Sequence, residues 1–200
     1  PTVKEILTGE IRAEVPFTWI DPQTQEPCKV KIDILAEQNG APIIAAEGEE
    51  AKQRGVAICM DCRNNSDLFA REAARVCAAN GIHVRLFESL RPTPELSFAV
   101  REYNCQAGIN VTASHNPKAY NGYKVYWEGG AQLPTHMADK VAQKMALLDP
   151  LAPRPESDSM ASLTWLEEDF DEQYINAVLQ CAIAPEHLAE DAFPIVYTPF

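Results

Sequence analysis

Ser114 and His115 stand side by side in TASHNPKAYNGYKVYW, residues 112–127, with Thr112, Asn116, Lys118 and Lys124 nearby in the chain. Three chemistries compete for such a serine. A hydrolytic nucleophile needs a general base within reach and an oxyanion hole; the G-x-S-x-G elbow is missing, and an adjacent histidine rarely points back at its neighbour. A turn former needs less, because Ser, Asn and Pro satisfy their own backbone at a chain reversal. A covalent phosphate carrier needs donors and cations around the hydroxyl, since a phosphoserine bears about −1.5 to −2 charges at neutral pH. Thr112 and Asn116 offer donors, and His115, Lys118 and Lys124 are the local cations. Read alone, Lys124 is a solvated lysine on an edge strand.

The elements that must position these residues follow from hydrophobic periodicity. GVAICM (55–60) is an apolar run fit for a buried strand, followed by SDLFAREAARVCAANG (66–81) as a helix with Ser66 as N-cap and Asn80-Gly81 as its stop. IHVRLF (82–87) is the next strand. TPELSFAVREYN (93–104) is the next helix, with Thr93 as N-cap, Pro94 at the first helical position, and Leu96, Ala99, Val100 and Tyr103 on one face. GINVTA (108–113) is a third strand, after which the chain turns at Asn116-Pro117 and Asn121-Gly122 and returns as YKVYW. Strand, helix, strand, helix, strand predicts a three-layer α/β/α domain with a mainly parallel, mixed sheet, because parallel neighbours need a crossover long enough to hold a helix. In such sheets ligands sit at the carboxyl ends of strands, where Ser114 falls.

Downstream, LPTHMADKVAQKMALLD (133–149) reads as a helix with Met137, Val141, Met145 and Leu148 inward, before a proline-rich break at 150–159. TWLEEDFDEQYINAVLQCA (164–182) reads as a further helix with a solvated acidic face, and FPIVYTPF (193–200) as the start of a strand. At the other end, residues 10–21 and 28–35 alternate like an antiparallel pair, so residues 1–54 are expected as a β-hairpin segment followed by an irregular, charged stretch. No catalytic constellation stands out in them.

Two hundred residues, 46% of them hydrophobic, suffice for one sizeable core. A formal charge of −12 argues against nucleic acid or an anionic membrane surface as partner. The six cysteines have no regular spacing and are expected to be reduced; the lone Cys59-x-x-Cys62 lacks the second pair or nearby histidine of a zinc site. No apolar run approaches membrane-spanning length and there is no basic leader, so a cytoplasmic protein is expected. The missing initiator Met and the ending at IVYTPF suggest a piece of a longer polypeptide.

TASHNPKAYNGYKVYW also resembles the active-site signature of the α-D-phosphohexomutases, the phosphoglucomutase and phosphomannomutase superfamily. Upstream residues from Met60 to Pro117 resemble the rest of that family's first domain, a likeness running over about residues 55–200, with 55–190 as the first domain and 191–200 as the opening of a second. The resemblance implies that Ser114 is phosphorylated in the resting enzyme and donates its phosphoryl group to a sugar monophosphate through a bisphosphate intermediate. By the same token Lys124 matches the general acid/base lysine, His115 the loop histidine, and a Ser114 phosphate oxygen a ligand to Mg²⁺. Asp61 and Arg63 resemble the family's D-x-R, where the arginine supports the phosphate site or caps the loop. The implied reaction moves phosphate between the 1- and 6-positions of a hexose phosphate, with glucose 1-phosphate the first substrate, ribose 1-phosphate the second, and a glucose 1,6-bisphosphate-type activator. Phosphomannomutase specificity, or a non-catalytic module derived from a mutase, are the alternatives. Residues 1–54 contain nothing like the family's Phe-Gly-Thr-x-Gly-x-Arg stretch, and its metal-binding, sugar-selecting and phosphate-clamping parts lie in later domains. The remaining mutase domains are therefore expected partners, and the fragment alone is expected to be inactive.

Overall fold

The computed structural model describes residues 14–17, 44, 47–139, 163–183, 194 and 196–198. Its strands and helices, in chain order, are β1 (Glu14–Phe17), α1 (Glu49–Arg54), β2 (Val56–Met60), α2 (Ser66–Ala79), β3 (Val84–Phe87), α3 (Thr93–Glu102), β4 (Ala107–Val111), β5 (Asn121–Trp127), β6 (Leu163–Leu166) and α4 (Glu168–Leu179). Six strands form one sheet in the order β1-β5-β4-β2-β3-β6. The four strands β4, β2, β3 and β6 run parallel, and β5 and β1 add an antiparallel edge. This is the mainly parallel α/β/α architecture expected from the sequence.

β2 and β4 are buried at every position, which explains why they read as largely apolar runs: helices cover both faces. On one face Phe69, Ala70, Ala73, Ala74 and Cys77 of α2 pack with Val56, Ile58, Met60, Ile109 and Val111. The alanines let the helix lie close to the strands. On the other face lies α3, whose Leu96 and Val100 approach Gly108 so closely that an added Cβ there would sit 2.7 Å from Val100 Cγ2. Ile44, Ala51 and Met137 join the α2-side core, so part of the N-terminal segment and the start of the downstream helix are built into it.

Several expectations shift. Ser66 and Thr93 are the first residues of their helices rather than N-caps; Asn65 and Pro92 take the cap positions, and both serine and threonine hydroxyls are engaged elsewhere. Asn121-Gly122 is no turn but the opening of β5, where Asn121 Oδ1 accepts the Gly122 N–H at 2.9 Å. Thr164, Trp165 and Leu166 belong to an edge strand paired with β3, not to the following helix, which starts at Glu168. β1 pairs with β5; its expected partner at 28–35, like Val141, Met145 and Leu148, lies outside the described residues. Of the strand expected at 193–200, the described residues 194 and 196–198 carry no strand, and Val196 and Tyr197 are exposed.

The chain divides into two compact units, Pro1–Glu167 and Glu168–Phe200. In the second, α4 has Glu168, Asp169 and Asp171 in its first turn, where the helix dipole favours them, with Glu168 and Asp169 exposed as expected.

Candidate functional site

β2 and β4 are neighbours, so the loops leaving their carboxyl ends, 61–65 and 112–120, meet. Ser114 lies at the tip of the second. Its φ of 57° places it in the left-handed region, an uncommon conformation for a residue with a side chain. Thr112 and Ala113 are buried, whereas Ser114 through Tyr120 are exposed. The chain thus leaves the sheet at Ala113 and lifts the Ser114 hydroxyl into solvent.

A half-buried polar network beneath the loop fixes this shape. Asp61 is its hub: Oδ2 accepts from Thr112 Oγ1 at 2.6 Å and Arg63 Nε at 2.8 Å, while Oδ1 accepts from the Arg63 N–H at 3.1 Å and Ser66 Oγ at 3.2 Å. Arg63, with a side chain only 8% exposed, turns the rest of its guanidinium into the loop. Nη1 donates to the carbonyls of Asn116 at 2.6 Å, Pro117 at 2.9 Å and Tyr120 at 3.2 Å, and Nη2 donates to that of Ser114. A tight reversal turns its carbonyls inward, and the planar fork of an arginine serves several at once where a lysine would serve fewer. Arg63 thus caps the loop through four of its carbonyls.

The other residues divide in the same way. Thr112 Oγ1, its proton given to Asp61, accepts the Ser114 N–H at 3.1 Å, and Asn116 Nδ2 donates to the Ala113 carbonyl at 3.0 Å. Thr112, Asn116 and Arg63 therefore hold the loop. His115 and Lys118 lie exposed on it and are the basic residues nearest Ser114 in sequence. Lys124 sits on β5, half-buried, opposite Asn110 of β4 and so one strand over and four positions back from the serine. The edge-strand reading of Lys124 is excluded, because β1 pairs along its other side with Glu14 as partner.

Sequence reasoning passed over Ser66 and Asn121. Asn121 Nδ2 donates to Ser66 Oγ at 2.8 Å, linking β5 and α2 to the Asp61 hub. The signal was present as two polar residues beginning elements, but it suggested a cap and a turn.

Both Asp61 oxygens are committed within the network, and among the described residues no three of His, Cys, Asp and Glu cluster as metal ligands. By the family resemblance, an oxygen of phosphorylated Ser114 would be the ligand this loop offers Mg²⁺. They do not make a complete cation site. Of the Cys59-x-x-Cys62 pair, Cys59 is buried, its ionisation pushed far up by desolvation and next by Asp61, while Cys62 is exposed. A cavity of about 360 Å³ lined by Glu50, Arg54, Trp127 and Glu128 opens at the opposite end of β4 and β5. There Arg54 is occupied by Gln106 Oε1 at 3.0 Å and Glu128 Oε2 at 3.1 Å, so it presents no anion site.

A mixed α/β/α domain with a serine raised on a braced loop at a strand's carboxyl end defines the class. The family described as "Phosphoglucomutase/phosphomannomutase, alpha/beta/alpha domain I" matches residues 32–150, more than half of the chain. The chain belongs to the phosphoglucomutase/phosphomannomutase family and carries its first α/β/α domain. Among its relatives, a phosphoglucomutase of Staphylococcus epidermidis is 47% identical over 109 residues, covering 54% of this chain and 19% of that protein. The phosphopentomutase of Homo sapiens is 41% identical over 114 residues, covering 54% and 18%. A phosphomannomutase-type structure from Thermus thermophilus superposes with a TM-score of 0.67 at 27% identity, over 84% of this chain and 34% of that one. The chain thus spans less than a fifth of the curated relatives it matches. No helix among the described residues is long and apolar enough to cross a membrane.

Proposed function

We propose that this domain is the phosphoryl carrier of a phosphosugar mutase, with Ser114 passing phosphate between the 1- and 6-positions of a hexose phosphate. One observation carries the reading: an exposed hydroxyl at the end of a buried strand, on a loop whose inward groups are all braced from below. Phosphoryl transfer asks for in-line positioning and charge neutralisation more than for covalent chemistry, and a braced loop supplies the first. A sugar hydroxyl oxygen attacks the phosphorus of phosphorylated Ser114 as the bond from phosphorus to Oγ breaks. One proton passes overall from that hydroxyl to Oγ, with Lys124 as the general acid/base that relays it and His115 beside the reacting groups. His115 and Lys118 balance part of the phosphate charge. Return of the other phosphate from the bisphosphate intermediate restores the carrier.

Glucose 1-phosphate is the first substrate proposed and ribose 1-phosphate the second, in keeping with relatives named phosphoglucomutase and phosphopentomutase. Turnover requires the further domains of a complete mutase, Mg²⁺ and a bisphosphate activator, in a cytoplasmic protein with neither nucleic acid nor membrane as partner. Intact-mass analysis tests the carrier step directly. Incubation with glucose 1,6-bisphosphate is expected to add one phosphate, and Ser114→Ala to abolish the addition. A folded wild-type chain that stays unmodified sinks the proposal in favour of a second reading, a mutase-derived module that binds without chemistry. That reading draws on the commitment of Arg63 to loop carbonyls, which leaves the phosphate His115 and Lys118 as the other basic residues on the loop.

A further inference from the structure

On the α3 side of the sheet a row of polar side chains crosses three strands. Cys59 of β2 partners Asn110 of β4, and Asn110 stands directly opposite Lys124 of β5. Asn110 is 2% exposed, in a strand otherwise made of Ala, Gly, Ile and Val. Its Nδ2 donates to Thr93 Oγ1 at 2.7 Å, at the start of α3, and its Oδ1 has no hydrogen-bond partner. A buried carbonyl oxygen without a donor is unfavourable, and an apolar side chain of the same size would avoid the penalty. The amide is planar, so committing its nitrogen to Thr93 turns the oxygen elsewhere. The Cys59 thiol on one side is a weak donor and makes no bond to it. On the other side is Lys124, an ammonium with three N–H groups, on the same face of the antiparallel pair, where opposed side chains are within reach of each other.

We propose that Asn110 is a positioning residue for Lys124. Its buried Oδ1 is the acceptor to which the ammonium folds back when it is not engaged at the Ser114 loop, so that the side chain shuttles between two fixed stations. The inference rests on the acid/base reading of Lys124 given above, and it explains an orphaned amide oxygen that packing alone does not.

The test uses the complete polypeptide that carries this domain, assayed with glucose 1-phosphate and glucose 1,6-bisphosphate. Asn110→Leu keeps the volume and removes the acceptor; it is expected to lower kcat about tenfold with KM within about twofold. Asn110→Asp keeps an acceptor oxygen and is expected to stay within about threefold of wild type in kcat. Asn110→Ser retains a hydroxyl too short to reach Lys124 and should behave like Asn110→Leu. Thermal unfolding identifies the folded variants, and Asn110→Ser decides the matter if Asn110→Leu does not fold. A folded Asn110→Leu or Asn110→Ser with kcat within about twofold of wild type overturns the proposal. Lys124→Ala separates the two layers: its kcat is expected to fall at least about 100-fold. Near-normal turnover in that variant would remove the lysine's role itself, whereas a large loss beside unaffected Asn110 variants would remove only the role of Asn110.

Discussion

Arg63→Met is the sharpest perturbation the loop architecture allows, because it keeps a buried stem of similar length and deletes the guanidinium. Five hydrogen bonds from that guanidinium are lost, one to Asp61 and four to the carbonyls of residues 114, 116, 117 and 120. Bonds to charged groups contribute about 1.5–3 kcal/mol each, but the loop is exposed and water can serve its carbonyls once it opens. Asp61 is 30% exposed, so its orphaned charge is partly solvated and the ion-pair loss is discounted. A local opening penalty lowered by about 2–3 kcal/mol remains, or roughly 30- to 150-fold in the open population. Trypsin reads it directly, since Lys118 lies in the braced segment and its peptide bond to Ala119 is cut only when the loop comes loose. Cleavage after Lys118, followed by mass, should accelerate by about that factor in Arg63→Met and by less in Arg63→Lys, whose point charge serves fewer carbonyls. Cleavage within about threefold of wild type would refute the claim that Arg63 holds the loop.

Gly55 has φ +75°, and a Cβ there would lie 2.1 Å from the His83 carbonyl oxygen, so Gly55→Ala should destabilise the domain by about 3 kcal/mol or more in urea unfolding. Burial, and secondarily Arg85, lowers the titration of His83 below its ordinary 6.5. The unfolded chain then binds the proton more readily, so stability is fully present above pH 6.5 and declines as pH falls through the folded value; His83→Gln should flatten that part of the urea-midpoint profile. Among the described thiols, Cys62 and Cys181 should react at once with a disulfide reagent. Cys59, Cys77 (pushed up to about 12 by burial) and Cys105 should react only on unfolding, and fast labelling of any of the three would contradict their burial.

The parallel centre of the sheet was legible because β2 and β4 are buried on both faces, which favours largely apolar runs. Helix ends marked by Asn80 and Gly81 were legible for a similar reason, a local backbone requirement met by a local residue type. β6 was not. Its Thr164 and Trp165 are exposed at a sheet edge, so no alternation separates them from the acidic helix that follows. At the site, the exposed loop after β4 could be read from its turn-forming residues, yet the direction of Arg63 could not, because convergence of four carbonyls 51 to 57 positions away is a property of the folded loop. Asn110 was hidden inside a strand that read as apolar, although one amide among aliphatic neighbours was itself a signal.

The left-handed backbone at position 114 also bears on why the proposed carrier is a serine when threonine owns the same nucleophilic oxygen. Branching at Cβ would collide with the flanking peptide groups in that conformation, so a threonine would drag the loop toward an extended shape and swing its oxygen off the line of transfer. The choice between two chemically equivalent alcohols is thus made by a torsion angle.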